Sequence, residues 1–229
     1  FFAFIAWQRF YLALALVFFL LPTYLIRFHI GPLPTTLLET MIWIIFLVWI
    51  IKNGLPSILY NLSSIIKKYP SLCIAMSLFL LGATISIFTS LNIRAALGEW
   101  KAFYLEPILL FIVLITTYTN QKNLQGSKIQ DTGYRIQDIL FALILCGLFT
   151  SILAIYQHFT GWMVPDAFWA NRNTFRVTAW YGFPNAVGLF LAPLIPLALY
   201  MVKNGWQNLQ QGGIKNQELS RRSSKEEIR

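Results

Sequence analysis

The sequence predicts an all-α fold: a polytopic membrane helix bundle of about six transmembrane helices plus one interfacial amphipathic helix, with both termini cytoplasmic. Three observations predict it. The 229 residues are 57% hydrophobic and only 12% charged, whereas a soluble domain averages about a quarter charged. Several apolar runs approach the roughly 20 residues that a helix needs to cross about 30 Å of hydrocarbon. Basic residues stand at the ends of those runs, where they orient the spans. The formal charge of +9 is therefore topogenic, and a nucleic-acid partner is not expected. Cys73 and Cys146 fall inside apolar runs and read as small buried residues, without disulfide or metal spacing.

The chain opens on Phe1 rather than Met, so a natural N-terminus is expected further upstream. The first predicted crossing is Phe10–Ile26, between Arg9 and Arg27. No small-residue cleavage site follows it, so it reads as a retained helix. A loop over His29–Pro34 comes next, because two prolines and a glycine forbid continuous helix. His29 has no second His or Cys near it, and a metal role is not expected. Thr36-Leu-Leu-Glu39 has capping-box spacing and opens the second crossing, Thr36–Ile51. Glu39 therefore reads as a cap rather than a catalytic acid. In residues 52–70, Leu55, Ile58, Leu59, Leu62, Ile65, Ile66 and Tyr69 recur at helical spacing, with Lys67-Lys68 at the end. That pattern suits a helix lying in the headgroup plane.

The third crossing is Leu72–Phe88 and the fourth Pro107–Tyr118. Between them, Asn92–Glu106 reads as an amphipathic extension of the fourth helix, with Pro107 as a kink. Arg94, Glu99, Lys101 and Glu106 either line a polar cavity or form a solvated face with local ion pairs; the second reading is favoured. Residues 119–136 are polar and carry one seven-residue echo, Ile129-Gln130-Asp131 and Ile136-Gln137-Asp138, too little for a repeat architecture. The fifth crossing is Asp138–Phe159 and the sixth Asn185–Val202, kinked by Pro193 and Pro196. Residues 1–202 thus form the transmembrane domain. Residues 203–229 form a polar cytoplasmic tail of disordered composition.

Orientation follows from the positive-inside bias. With a cytoplasmic N-terminus, Arg9, Lys52, Lys67, Lys68, Lys122, Lys128, Arg135, Lys203, Lys215, Arg221, Arg222, Lys225 and Arg229 face the cytoplasm. Arg27, Arg94, Lys101, Arg172 and Arg176 face outward. The loop before the last span, Thr160–Pro184, is then external.

That loop holds the candidate chemistry. Arg172 and Arg176 precede Gly182-Phe183-Pro184-Asn185 and the last apolar run. Asn185 reads as the N-cap of that helix. A helix N-terminus carries partial positive charge and unpaired donors, and arginines fork onto phosphate oxygens. Two readings stand: an anion site at the mouth of a membrane helix, or a topogenic loop with an ordinary cap. The loop's Trp162, Phe168, Trp169, Phe175, Trp180, Tyr181 and Phe183 likewise suit an interfacial belt, or platforms for a sugar face or lipid headgroup. His158 stands near the same mouth as a general base or a cavity-lining or interfacial polar residue. No metal cluster, phosphate-cradling glycine loop or Ser-His-Asp set is visible, and no residue is assigned a catalytic role.

Three stretches carry a family resemblance. They are Leu21–Phe28 through Pro34–Glu39, Arg94–Pro107, and Arg176-Val-Thr-Ala-Trp-Tyr-Gly182-Phe-Pro184-Asn185 running into a helix. The chain resembles the bacterial O-antigen ligase/polymerase family of polytopic membrane glycosyltransferases. The resemblance implies transfer of a saccharide from a polyprenyl-diphosphate carrier to a lipid-core or glycan acceptor, on the outer face of the bacterial cytoplasmic membrane. It implies no cofactor or metal, with Arg176, Arg172, Gly182 and the Asn185 helix terminus taking the diphosphate. The family continues into a larger outer loop with an essential histidine and a further arginine. This chain has no counterpart, so it is expected to represent the N-terminal portion or a truncated copy. The alternative is a non-catalytic membrane protein or transporter that handles lipid-linked saccharide.

Overall fold

The computed structural model describes residues 1–31, 33–124, 136–171 and 173–205. The polar echo at 129–131, Arg172 and the tail beyond residue 205 lie outside the described residues. The chain forms two compact units, Phe1–Ala142 and Leu143–Arg229.

The first unit opens with α1 (Phe2–Gln8) and α2 (Phe10–Phe19). At about 1.5 Å rise per residue α2 is roughly 15 Å long, about half the hydrocarbon thickness. A 3₁₀ turn over Leu21–Leu25 follows, with Pro22 in its first turn. The Leu20 carbonyl accepts both from the Thr23 amide (2.9 Å) and from its hydroxyl (2.7 Å), which closes the helix end. The expected crossing over Phe10–Ile26 is thus two helical pieces.

Where a loop is expected, the structure forms an antiparallel ribbon of β1 (Arg27–Ile30) and β2 (Leu33–Thr36). Arg27 pairs with Thr36 and His29 with Pro34. Proline is tolerated because each strand of a two-stranded ribbon keeps one unpaired edge. Gly31, at φ +61°, supplies the turn.

α3 (Leu37–Asn53) starts at the expected capping box. The Glu39 amide donates to Thr36 Oγ1 (3.2 Å), and the Thr36 amide donates to Glu39 Oε2 (3.4 Å). Met41, Ile42, Ile45, Val48 and Trp49 of α3 pack with Ala13, Leu14 and Val17 of α2 to form the core of this unit. Gly54 ends α3 at φ +70°, ψ 146°, which only glycine adopts without strain. α4 (Leu55–Lys68) then departs at 102° from α3.

α5 (Pro70–Phe88) has proline in its first turn, where no amide is needed. Asn92 caps α6 (Ile93–Trp100), its Oδ1 accepting from the Ala95 amide at 3.2 Å. The helix then widens into a π turn at Lys101–Leu105 before α7 (Glu106–Leu124). In that turn the Glu106 amide donates to the Lys101 carbonyl five residues back. Pro107 has no amide to give, and the wider turn takes up its ring, so the helix continues through it.

α8 (Ile136–Thr160) leads into the second unit and ends at Gly161, φ +68°, whose amide donates to the Gln157 carbonyl (2.8 Å). Asp166 caps the short α9 (Ala167–Ala170) through the Phe168 amide, 2.8 Å from Oδ1. α10 (Pro184–Leu191) pauses at residues 192–193, as expected at Pro193, and resumes as α11 over 194–205. Any side chain at Gly147 of α8 would place Cβ 2.7 Å from Leu194 Cδ1, so α8 and α11 meet there at close range.

Among the described residues, four helices are long and apolar enough to cross a membrane: Pro70–Phe88, Ile93–Thr117, Gln137–Thr160 and Pro184–Gly205. A fifth is present if the bent pair α3–α4 is counted as one span. Leu78, Phe79, Ile85 and Phe88 of α5, and Ile152 and Ile155 of α8, are exposed. Apolar exposure of that kind on each helix suits hydrocarbon rather than water.

Candidate functional site

The second unit carries the outer-loop candidate. Gln157, on the last turn of α8, is fully buried. Its Nε2 donates to the carbonyls of Met163 (2.7 Å) and Ala179 (3.0 Å). Its Oε1 accepts from the amides of Thr178 (3.1 Å) and Ala179 (2.8 Å). Among the described residues, Met163 (φ 62°) and Ala179 (φ 47°) are the non-glycine residues with positive φ. Such backbone costs about 1–3 kcal/mol and persists where its surroundings over-determine it. Here one side-chain amide holds both places. The loop is thereby latched at each end to α8, with Arg176 between.

Arg176 is exposed. Its guanidinium carbon lies 5.8 Å from the centre of the Trp169 ring, and its amide donates to the Trp169 carbonyl at 3.3 Å. Cation–π contact of this kind orients the guanidinium without neutralising it. Two polar atoms of the same loop, Thr178 Oγ1 and Trp180 Nε1, are buried and make no hydrogen bond. They are a hydroxyl and an indole donor flanking Ala179.

The helix start differs from expectation. Phe183, with extended φ −148°, ψ 148°, is the N-cap and makes no side-chain cap bond. Pro184 takes the first helical position, for which its fixed φ and missing amide suit it. Asn185 is therefore the second helical residue and exposed, not the cap. Gly182 is exposed beside this N-terminus, with open space around its Cα.

The first unit brings together a second polar group. Glu39 Oε2 accepts from Lys101 Nζ at 2.7 Å, from the Thr35 hydroxyl at 2.8 Å and from the Thr36 amide. One turn along α3, Trp43 Nε1 donates to Glu106 Oε1 at 3.3 Å, and Glu106 is only 2% exposed. Residues four apart on α3 thus meet residues five apart on the π turn. The cap expected of Glu39 is present, and it doubles as the partner of Lys101. Arg94 and Glu99 are exposed on α6. His158 belongs to the second unit, exposed, with its ring edge-on to Phe159 at 5.1 Å.

Gln157, Thr178 and Trp43 were not singled out from the sequence. A signal for Gln157 was present: an amide side chain at the far end of a 25-residue apolar helix needs a hydrogen-bond partner. These features define an α-helical membrane protein with a latched, arginine-bearing loop at one helix end. Comparison with protein-family models, curated proteins and solved structures yields no match for the chain.

Proposed function

We propose that this protein is a membrane glycosyltransferase of O-antigen ligase type, acting on a polyprenyl-diphosphate-linked saccharide at the outer face of the bacterial cytoplasmic membrane. In this reading the chain crosses the membrane about six times, with α4 in the interface and both ends in the cytoplasm. The acceptor is a lipid-core sugar or a growing glycan. The single observation that carries the reading is the exposed Arg176, posed on Trp169 within a loop that leads into a helix N-terminus without a side-chain cap. A guanidinium and free helix amides favour developing negative charge on a leaving diphosphate. Arg172 and Gly182 are assigned to the same anion.

Polyprenyl diphosphate binding to the full chain in nanodiscs tests it. Arg176→Ala is expected to weaken binding by about tenfold or more, the worth of a charge-assisted contact, and to leave polyprenyl alcohol binding unchanged. Equal diphosphate affinity in the two proteins removes Arg176 from the site. Binding without glycan transfer favours the alternative, a non-catalytic binder or transporter of lipid-linked saccharide.

A further inference from the structure

α4 bears an apolar arc in two halves. Ile58 and Ile65 are buried within the first unit, while Leu55 and Leu59 are each 63% exposed and Ile66 is 48% exposed. At 100° per residue the exposed trio occupies one strip of about 40°, with the half-buried Leu62 between it and the buried pair. Lys67 lies beyond one edge of the whole arc, past Ser63 and Pro56, Lys68 lies beyond the other, past Asn61, and α4 carries no acidic residue. Lysines on both sides of an apolar arc can reach headgroups while their stems lie along the acyl boundary. The 102° departure from α3 turns α4 across the direction of the preceding apolar helix. α5, which follows directly at Pro70, continues the exposed apolar surface.

We propose that α4 is an anionic-phospholipid docking helix, seating Leu55, Leu59 and Ile66 at the acyl boundary and placing Lys67 and Lys68 on phosphate-bearing headgroups. The occupant is lipid rather than protein because the charged residues of α4 are lysines alone and α5, which follows directly, is long and apolar enough to cross a membrane. This holds whether or not the loop around Arg176 binds a diphosphate.

The test uses the full chain in vesicles of phosphatidylcholine with or without phosphatidylglycerol. Fluorophores are attached at Leu59→Cys, Ile66→Cys, Ser57→Cys or Ser64→Cys, with Cys73→Ala and Cys146→Ala. Spin-labelled lipid is expected to quench sites 59 and 66, and aqueous iodide sites 57 and 64. Spin-labelled phosphatidylglycerol should quench site 66 more than the phosphatidylcholine analogue, with the excess falling about fivefold for each lysine changed in K67Q or K68Q. The pair K67R and K68R should retain it. Lipid quenching at all four sites means a re-entrant segment, and no lipid quenching at 59 and 66 means cover by protein or water; either overturns the proposal. Equal quenching by the two lipids overturns the anionic preference. Arg176→Ala should change none of these readings, so failure here is separable from failure of the diphosphate site.

Discussion

Gln157 shows how one residue sets a loop. Both its donors and its acceptor oxygen are used, on backbone groups more than twenty residues apart in sequence at the far end. Gln157→Leu keeps the volume and removes every bond, leaving the Met163 and Ala179 carbonyls and the Thr178 and Ala179 amides without this partner. Each unsatisfied buried group costs about 1–3 kcal/mol, less where the loop can open to water. The expected outcome is a loss of about 2–4 kcal/mol in local stability, read as faster amide exchange over 161–183 with α5 and α7 unchanged. Unaltered exchange in that segment would show that the strained residues are held by something else. From the sequence, Gln157 signals a need for partners without saying which, because those partners are backbone atoms and backbone leaves no residue-type signature. Asn185 fails as a cap for a related reason: Pro184 is itself a favoured first helical residue, and it moves the helix start upstream.

At the scale of elements, local rules were legible and long-range ones were not. The capping box at Thr36–Glu39 depends on residues three apart, and it forms as its spacing predicts. The helix over Leu55–Lys68 follows from its own periodicity. The β1–β2 ribbon was hidden because its two prolines and glycine signal only that helix ends there. The π turn was hidden because Pro107 announces a disturbance without saying whether the chain bends or widens. The pairing of Lys101 with Glu39 joins residues 62 apart, which no spacing rule reaches. Its strength can be measured by a double-mutant cycle of Glu39→Gln and Lys101→Met. Glu39→Gln keeps an oxygen for the Thr36 amide and the Thr35 hydroxyl, so the cap survives while the charge goes. With the partners 13% and 31% exposed, a coupling of about 1–2 kcal/mol is expected in thermal unfolding in detergent. A coupling near zero would reduce the pair to a surface contact.

For the whole molecule, the bilayer explains why composition carried the fold class so far. A span in hydrocarbon must satisfy its backbone polar groups within itself, so each crossing is written locally as a long apolar run. Assembly is written in sparse polar and small-residue contacts, such as Gly147 against Leu194 or Trp100 Nε1 on Thr84 Oγ1 at 3.1 Å, and these are not visible as a pattern. The same logic gives a topology prediction that does not depend on the broken helices at the chain's start. Between Ser64 on α4 and Trp162 beyond α8 lie Pro70–Phe88, Ile93–Thr117 and Gln137–Thr160. If all three cross, the two residues lie on opposite sides, and a further crossing by Pro184–Gly205 would return the chain to the side of α4. The lysines of α4 and Lys203 then share a side, which the positive-inside rule makes cytoplasmic. In a background of Cys73→Ala and Cys146→Ala, a membrane-impermeant maleimide should label Trp162→Cys in intact cells and Ser64→Cys only after permeabilisation. Labelling of both in intact cells, or of neither, would mean that one of the three helices does not cross, and the outward placement of Arg176 would fall with it.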